Sequence, residues 1–557
     1  MALGRSDGAP VLVVGAGPVG LTMACELARH GVACRIVDAN EGPTDQSRAL
    51  AIQARTLEVF EGMGIIGPFL EGGRKYYGMS AFADGRRIVH LTFDLDGLDT
   101  PYPFPICLPQ DRTERILRDR LRGLGVEVER RTALSALRQD ATGATATLTD
   151  SGGRAVEVRT PWLVGCDGAR SAVRKALGIP FEGAEYEENF LLADVRIDWD
   201  GAVDEITIIL TPGGPVLAFP FPEEGRWRLV ETSADTTADA DPGRVVARFQ
   251  AILREHGRPE ATVSDPTWTS SFRIHRRVAG RFREGRCFIA GDAAHIHSPA
   301  GGQGMNTGIQ DAYNLAWKLG LAARGVAPDS LLDSYSTERR GVVAGVVRGS
   351  HLLTRMVTLR NPVARSIRDH LAMILGEFDL VARRMSLDLS ELGVGYRQSP
   401  IVAEDRPGPF RPGILDALDF GAGPHPGDRV PDIPLEPPPD IDGPTRLFDV
   451  LRGTRHVLLL FEGAHDVRDP APIEAVGALA RLHAPDLDAY LVARGDVAPP
   501  GISWDGPTLR DHFGELHRRF GARGACLYLV RPDGYIGYRA MPPDPVRLQA
   551  YLGRIFA

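Results

Sequence analysis

The first apolar run, VLVV at Val11–Val14, passes through glycines into LTMACELARHG, which reads as a helix stopped by Gly31. A second run, CRIV, ends in Asp38. Short unbroken apolar runs suit strands buried on both faces, and strand–helix–strand alternation predicts an α/β layer with a parallel sheet. The same order returns twice. Trp162–Cys166 reads as a strand leading through Asp167-Gly168 into a helix that carries Ser171, Arg174 and Lys175 and ends at Gly178. Cys287–Ala290 leads through Gly291-Asp292 and a glycine-rich loop into a helix predicted from about Gly302, with Leu315, Leu319 and Leu321 among its apolar positions.

Between residues 186 and 271 the pattern changes. NFLLADVRID, EITIILTP, PVLAFPFPEEG and RWRLVETS read as strands separated by turns, a sheet inserted into the first domain. Residues 396–445 are rich in proline and glycine, including EPPPD, and read as a linker. Beyond them RHVLLLFEG and AYLVARG are predicted strands, ALARLHA a helix, and ACLYLV and YIGYR the arms of a hairpin turned at RPDG. The expected plan is a discontinuous domain over 1–185 and 272–395, a sheet domain over 186–271, a linker over 396–445, and a second α/β domain over 446–557.

GAGPVG places Gly15, Gly17 and Gly20 in G-x-G-x-x-G spacing between a strand and a helix. One glycine makes the tight turn, one lets a pyrophosphate approach the backbone, and one lets helix and strand pack closely. The helix N-terminus, with Pro18 at its start, offers free N–H groups and partial positive charge to phosphates. Asp38 stands about 20 residues past the loop, where an acid binds a ribose hydroxyl pair. GAGPHPG at Gly421–Gly427 looks similar, but prolines interrupt it and no helix follows, so only one dinucleotide fold is expected. Asp167 and Asp292 each stand after a strand, where ligands bind in open α/β sheets. Either alone reads more readily as a turn or cap residue; the first motif tips both toward a binding site.

Composition changes this picture little. The chain has 557 residues, a net charge of −8 and 43% hydrophobic content, which argues against a nucleic-acid or anionic-membrane partner. Its only lysines are Lys75, Lys175 and Lys318. Six scattered cysteines without a C-x-x-C argue for a reducing compartment and against a zinc knuckle or redox dithiol. With no signal-like N-terminus and no apolar run of membrane length, the expectation is a cytoplasmic protein. His295 and His297 form the only close histidine pair, but no third or fourth ligand stands beside them, so no metal is expected. The loop from Pro299 to Asn306, with Gly302 and Gly304 ahead of a helix, suits an anion instead.

Three motifs carry a family resemblance: GAGPVG, DGARSAVR in the pattern D-G-x-x-S-x-x-R, and GDAAHIHSPAGGQGMN. In order and spacing they resemble the class A flavoprotein monooxygenases, the family of para-hydroxybenzoate hydroxylase, over roughly residues 10–395. SRALAIQARTLEVFEGMG, LPQDRTERIL and LGVGYRQSP are similar to segments of the subgroup that hydroxylates aromatic polyketides and large phenols. The resemblance implies a Rossmann-like FAD-binding domain, an inserted β-sheet substrate domain and a C-terminal thioredoxin-like domain, here without C-x-x-C. It implies FAD held by Gly15, Gly17, Pro18, Gly20, Asp38, Arg48, Gln110, Asp167 and Asp292, and by Pro299, Gly302, Gly304, Met305 and Asn306 in the loop.

The implied reaction uses NAD(P)H and O2 to form a flavin C4a-hydroperoxide that gives one oxygen to an electron-rich ring. The flavin carries the chemistry, and no residue is assigned as acid or base. Phe82, Phe104, Phe219, Phe221 and Trp227 are candidates for the aromatic pocket, although Phe219, Phe221 and Trp227 each read more readily as sheet core. Baeyer–Villiger oxidation or antibiotic inactivation on the same fold stays open, as does a homodimer. A flavin halogenase is disfavoured by the absence of W-x-W-x-I-P, and a non-catalytic flavin-binding scaffold would bind FAD without oxidising NADPH.

Overall fold

Val11–Val14 pairs in parallel with Trp162–Gly165 on one side and Cys34–Val37 on the other, Val11 lying opposite both Trp162 and Cys34. The computed structural model describes residues 10–557 apart from 45–48, 84, 93–97, 200–201, 212, 234–240, 257, 299–300, 358–385, 407–413, 436–442, 464–468 and 496–501. The sheet built on Val11–Val14 has six strands, in the order Arg283–Glu284, Cys287–Ile289, Trp162–Gly165, Val11–Val14, Cys34–Val37 and Val128–Glu129. Its strands are parallel except for Arg283–Glu284 at one edge. The three runs singled out by apolar patterning are therefore neighbouring strands of one sheet, and the turn after each opens on the same carboxyl edge. Helices Pro18–Arg29 and Gly304–Ala323 pack on each other across the face of this sheet.

The inserted sheet has eight strands, in the order His295–Ile296, Thr262–Ala279, Phe181–Asp198, Arg226–Ser233, Gly214–Pro220, Glu205–Thr211, Gly78–Ala83 and Arg86–Thr92. The four strands expected from alternation are present. Two 18-residue strands, Phe181–Asp198 and Thr262–Ala279, run through the expected boundaries at 186 and 271, so the sheet grows continuously out of the first domain. The hairpin Gly78–Ala83 and Arg86–Thr92 joins it from far earlier in the chain. One face is sealed by helix Pro242–Glu255, whose Val245, Phe249 and Leu253 pack on Val195, Trp227 and Leu229.

The C-terminal sheet runs Ala403–Asp405, Ile536–Ala540, Cys526–Val530, His456–Phe461, Leu487–Ala493 and Thr508–Arg510, parallel from His456–Phe461 outward and antiparallel through the hairpin. This is a thioredoxin-like arrangement. The stretch 396–445 is more than a linker. Ala403–Asp405 pairs with Ile536–Ala540, and Val430, Ile433 and Leu435 are buried in the core of this domain. Gly423 and Gly427 lie against Phe520 O and Arg397 N, where a Cβ would stand 2.3 and 2.4 Å away. Proline and glycine here serve close packing as well as turning. Among the described residues, no helix is long and apolar enough to cross a membrane.

Helix Gly304–Ala323 joins the two cores. Ile309, Ala312, Leu315 and Leu319 face the nucleotide-type sheet, while Trp317 and Leu321 enter the core of the C-terminal domain beside Leu458 and Leu529. Polar residues cross the same boundary. Arg531 donates to both oxygens of Glu338 at 2.7 and 3.0 Å, and Lys318 Nζ donates to Glu338 Oε2 at 2.6 Å. Asp533 accepts from Asn314 and from the Trp317 indole, each at 3.1 Å. Lys318, Glu338, Arg531 and Asp533 balance two positive charges against two negative ones, all out of water. Removing one partner of such a pair strands the other, at a cost of about 3–5 kcal/mol. Arg531→Ala is therefore expected to lower the unfolding free energy by about that amount in a urea titration. Arg138→Ala, which breaks an exposed cross-strand pair with Glu157, should leave the urea midpoint unchanged.

Candidate cofactor and substrate site

At the carboxyl edge of the first sheet the glycine loop is shaped by contact on two sides and open on the third. Gly15 has φ +102°, and a Cβ there would stand 2.3 Å from Cys166 O. A Cβ on Gly20 would stand 1.9 Å from Gly15 O, so strand and helix approach too closely for any side chain. A Cβ on Gly17 would meet nothing within 4 Å. Gly17 caps the Pro18–Arg29 helix without a side-chain hydrogen bond, leaving the first-turn N–H groups directed into open space. A pyrophosphate fits that space and that charge.

Asp38 is 7% exposed and holds the loop from the next strand: Oδ2 accepts from Ala16 N at 2.6 Å and Oδ1 from Asn40 N at 2.8 Å. Arg130 stands beside it, 3.6 Å from Oδ1, with a buried Nη2 that has no hydrogen-bond partner among the described residues. Arg130 follows the strand Val128–Glu129, and no motif in the sequence marked it. Gln110 lies behind the next segment, accepting from Ala49 N at 3.2 Å and donating to Glu114 Oε1 at 3.0 Å.

The D-G-x-x-S-x-x-R motif proves to be a folded unit. The Asp167 carboxylate accepts from Ser171 Oγ, Ala172 N and Val173 N at 2.6, 2.6 and 3.1 Å, capping the helix Ala172–Ala176. Ser171 Oγ in turn accepts from Arg174 N at 2.9 Å. Arg174 then donates to Ala169 O and Ala293 O, both at 2.9 Å, tying this turn to the Gly291–Ala293 turn that presents Asp292. Asp292 is on the exposed side of that turn, on the same edge as the glycine loop.

The histidine pair is divided in use. His295 Nε2 lies 2.7 Å from Asp311 Oδ2, an oxygen that also accepts from Gly291 N at 3.0 Å; Arg339 Nε donates to Asp311 Oδ1 at 2.6 Å. Asp311 is fully buried, yet His295 and Arg339 hold its carboxyl below the ordinary range. His297 is pushed down to about 4 by burial and by His295, so its imidazole is neutral at physiological pH. Its Nδ1 lies 2.9 Å from Ser298 O and must carry the proton. The opposite nitrogen, Nε2, is a buried acceptor with no partner among the described residues, next to Gly304.

Gly301 and Gly302, at φ +89° and +63°, turn the chain into the Gly304–Ala323 helix, which no side chain caps. Asn306 staples this start: Oδ1 accepts from Gln53 N at 2.9 Å, and Nδ2 donates to Ala51 O at 2.9 Å and Gly302 O at 2.7 Å. Its side chain is thus used by the protein, and what the turn presents outward is the N–H groups of Gly304, Met305 and Asn306. The residues present fit a flavin: a second uncapped helix start suits the anionic pyrimidine end of the ring, and an orphaned acceptor sits beside it. Arg48 and Pro299 lie outside the described residues.

The pocket candidates separate by face. Phe219 and Phe221 lie on the side of the inserted sheet that packs toward Leu50, Tyr76 and Cys107, with Ile206, Ile208 and Met79. Phe104 borders that region, edge-on to Tyr77 at 6.1 Å and under Lys75 Nζ at 4.2 Å. Trp227 is 2% exposed on the opposite face, edge-on to Trp199 at 5.0 Å under the Pro242–Glu255 helix. Phe82 pairs with Ile209 on that same face and stacks under Arg258 at 4.5 Å. On the inner face, Arg228 is bidentate to Asp194 at 2.7 and 2.8 Å and lies 5.5 and 5.2 Å from the rings of Phe221 and Trp268. No sequence motif announced that pair.

A Rossmann-type sheet with a glycine-loop helix, a second uncapped helix start on the same edge and an aromatic-faced inserted sheet define a flavin-dependent ring oxygenase. Residues 8–350 match the family model described as FAD binding domain, and residues 423–557 match that described as aromatic-ring hydroxylase, C-terminal. The chain belongs to the FAD-binding aromatic-ring monooxygenases. It is 38% identical to 6-methylpretetramide 4-monooxygenase of Streptomyces rimosus, over 98% of this chain and 94% of that one. Its fold matches the anhydrotetracycline hydroxylase OxyS of Streptomyces rimosus with a TM-score of 0.74 at 33% identity, covering 99% of both chains. It matches the flavin-dependent monooxygenase PieE, solved with FAD and substrate, with a TM-score of 0.78 at 25% identity over 98% of this chain and 99% of that one.

Two outcomes test this geometry. Gly17→Ala puts its methyl into open space and is expected to fold with a melting temperature close to the parent's while losing FAD affinity. Gly20→Ala must push Gly15 away and is expected to lower the melting temperature itself, read by calorimetry of both apoproteins. Because the Asp311 carboxyl is depressed, its contribution is complete above its unfolded value of about 3.9 and lost as pH falls through the lower folded value. The stability gap between the parent and Asp311→Asn should therefore shrink as pH falls below about 4, as measured by urea titration.

Proposed function

We propose that this FAD-dependent aromatic monooxygenase takes NAD(P)H as donor and inserts one oxygen atom into a polyphenolic or polycyclic aromatic polyketide. When bound, FAD accepts a hydride from the nicotinamide and activates O2 for transfer to the substrate ring. Gly17 and the start of the Pro18–Arg29 helix bind the pyrophosphate, Asp38 and Arg130 face the adenosine ribose, and Asp292 takes the ribityl side. The N–H groups of Gly304 to Asn306 stabilise negative charge on the reduced ring. The single observation that carries the substrate reading is the inner face of the inserted sheet, where Phe219 and Phe221 turn toward the FAD domain. These rings orient a flat substrate and keep water from the oxygen-transfer step. The relatives named for 6-methylpretetramide and anhydrotetracycline support a substrate of that size.

Purified yellow protein is expected to consume NADPH or NADH and O2 faster in the presence of suitable polycyclic phenols, with a product heavier by one oxygen atom in mass spectrometry. Asp292→Ala is expected to purify colourless and inactive. Pyridine-nucleotide oxidation that yields only hydrogen peroxide with every aromatic tried would sink the hydroxylase reading.

A further inference from the structure

One buried carboxyl stands outside the roles assigned so far. Glu391 is 3% exposed and sits just ahead of the Leu392–Pro400 segment, LGVGYRQSP, whose Tyr396 and Ser399 hydrogen-bond Arg339 and Glu338. Its backbone is held at φ +60°, a left-handed conformation that a non-glycine residue keeps only where its surroundings enforce it. Both carboxyl oxygens face the start of the Gly304–Ala323 helix: Oε1 accepts from Thr307 Oγ1 at 3.1 Å, and Oε2 accepts from the Gln310 amide. At a rise of 1.5 Å per residue, Thr307 and Gln310 stand about 4.5 and 9 Å along the axis from Gly304. The carboxyl is thus within two turns of the N–H groups assigned to the flavin's pyrimidine end.

Among the described residues the charges facing Glu391 are Arg339, which draws its proton affinity down, and Asp311, which raises it. Those two are already paired with each other, and His295 completes Asp311. Among the described residues the direct hydrogen-bond partners of Glu391, Thr307 and Gln310, are neutral, and burial pushes its carboxyl up to about 8. A carboxylate here would repel a reduced, anionic ring and compete with it for the positive end of the same helix. A carboxylic acid would do neither.

We propose that Glu391 is a positioning residue that holds a proton when the flavin is reduced, so that reduction of the bound ring is coupled to protonation of this carboxyl. The inference rests on the assignment of FAD to this site. In balance, the oxidised ring takes two electrons and one proton, delivered as hydride by NAD(P)H, and becomes the anion. Where Glu391 is ionised in the oxidised protein it takes a second proton, from solvent, and becomes neutral. The added negative charge raises the affinity of Glu391 for that proton further, so the coupling operates above the carboxyl's oxidised-state value.

The test is the midpoint potential of FAD in the purified holoenzyme, followed by dye equilibration from about pH 7 to about pH 9.5. The parent is expected to take up one proton per two electrons at the lower end and two per two electrons above about pH 8. Glu391→Gln, nearly isosteric and never charged, is expected to take up one throughout. Should that variant fail to fold, the parent alone decides: above about pH 8 the reduced-minus-oxidised infrared spectrum must gain a protonated-carboxyl band, whereas at the lower pH it must show no such gain because the carboxyl is already protonated in both states. A single slope for the parent over the whole range, or the same break in Glu391→Gln, overturns the proposal. Parent protein that binds no FAD would overturn the flavin assignment instead, and the two failures are told apart by colour before any titration.

Discussion

A buried helix can carry polar side chains only if every one of them finds a partner, and Gly304–Ala323 carries Asn306, Thr307, Gln310, Asp311, Asn314 and Lys318 at no more than 4% exposure. Much of the molecule's arrangement answers that demand. Asn306 is satisfied by the Ala51–Gln53 segment, Thr307 and Gln310 by Glu391, and Asp311 by His295 and Arg339. Asn314 and Lys318 are satisfied by Glu338, with Asp533 and Arg531 of the C-terminal hairpin completing the set. The helix thereby fixes the glycine-rich turn at its start, the strand His295–Ile296 of the inserted sheet, and the C-terminal domain along its far side. Loss of any one partner would leave an unpaired group in a low-dielectric interior.

The same accounting gives the thioredoxin-like domain a role without thiol chemistry. The RPDG turn places Arg531 and Asp533 against the helix, and Arg55 reaches from the opposite side to donate to Asp533 O at 2.7 Å. Along the neighbouring helix Ala54–Gly62, Glu58 pairs with Arg429 and Glu61 with Arg446 and Arg452. The domain thus contacts both the Ala54–Gly62 and Gly304–Ala323 helices through ion pairs and hydrogen bonds. Its core is continuous with theirs through Trp317 and Leu321.

The motifs that carry the family resemblance work by a similar logic. Asp167, Ser171 and Arg174 spend their hydrogen bonds on one another and on Ala293 O, and the Asn306 amide spends its own on the protein. These side chains shape backbone turns at the carboxyl edge of the sheet, beside helix starts that no side chain caps. His295 follows the same pattern, serving Asp311, while its neighbour His297 keeps one nitrogen buried and unmatched beside the helix start.

Local chemistry made part of this legible. The glycine loop, the apolar runs of the parallel sheet, the alternating strands of the insert and the P-D-G hairpin each express a constraint that acts within a few residues, so the sequence alone determined them and, through the three motifs, the cofactor. Long-range pairing left no such mark. Nothing near Gly78–Thr92 says that it completes a sheet begun a hundred residues later, and proline-rich 396–445 hides a strand and core residues of the next domain. The faces of Phe219 and Phe221 against Trp227 and Phe82 were equally hidden, because alternation says which residues share a side and not which side meets the flavin. Arg130, Glu391 and the Arg228–Asp194 pair appear only in three dimensions, since burial and partnership decide what a charged residue does and both are set by the fold.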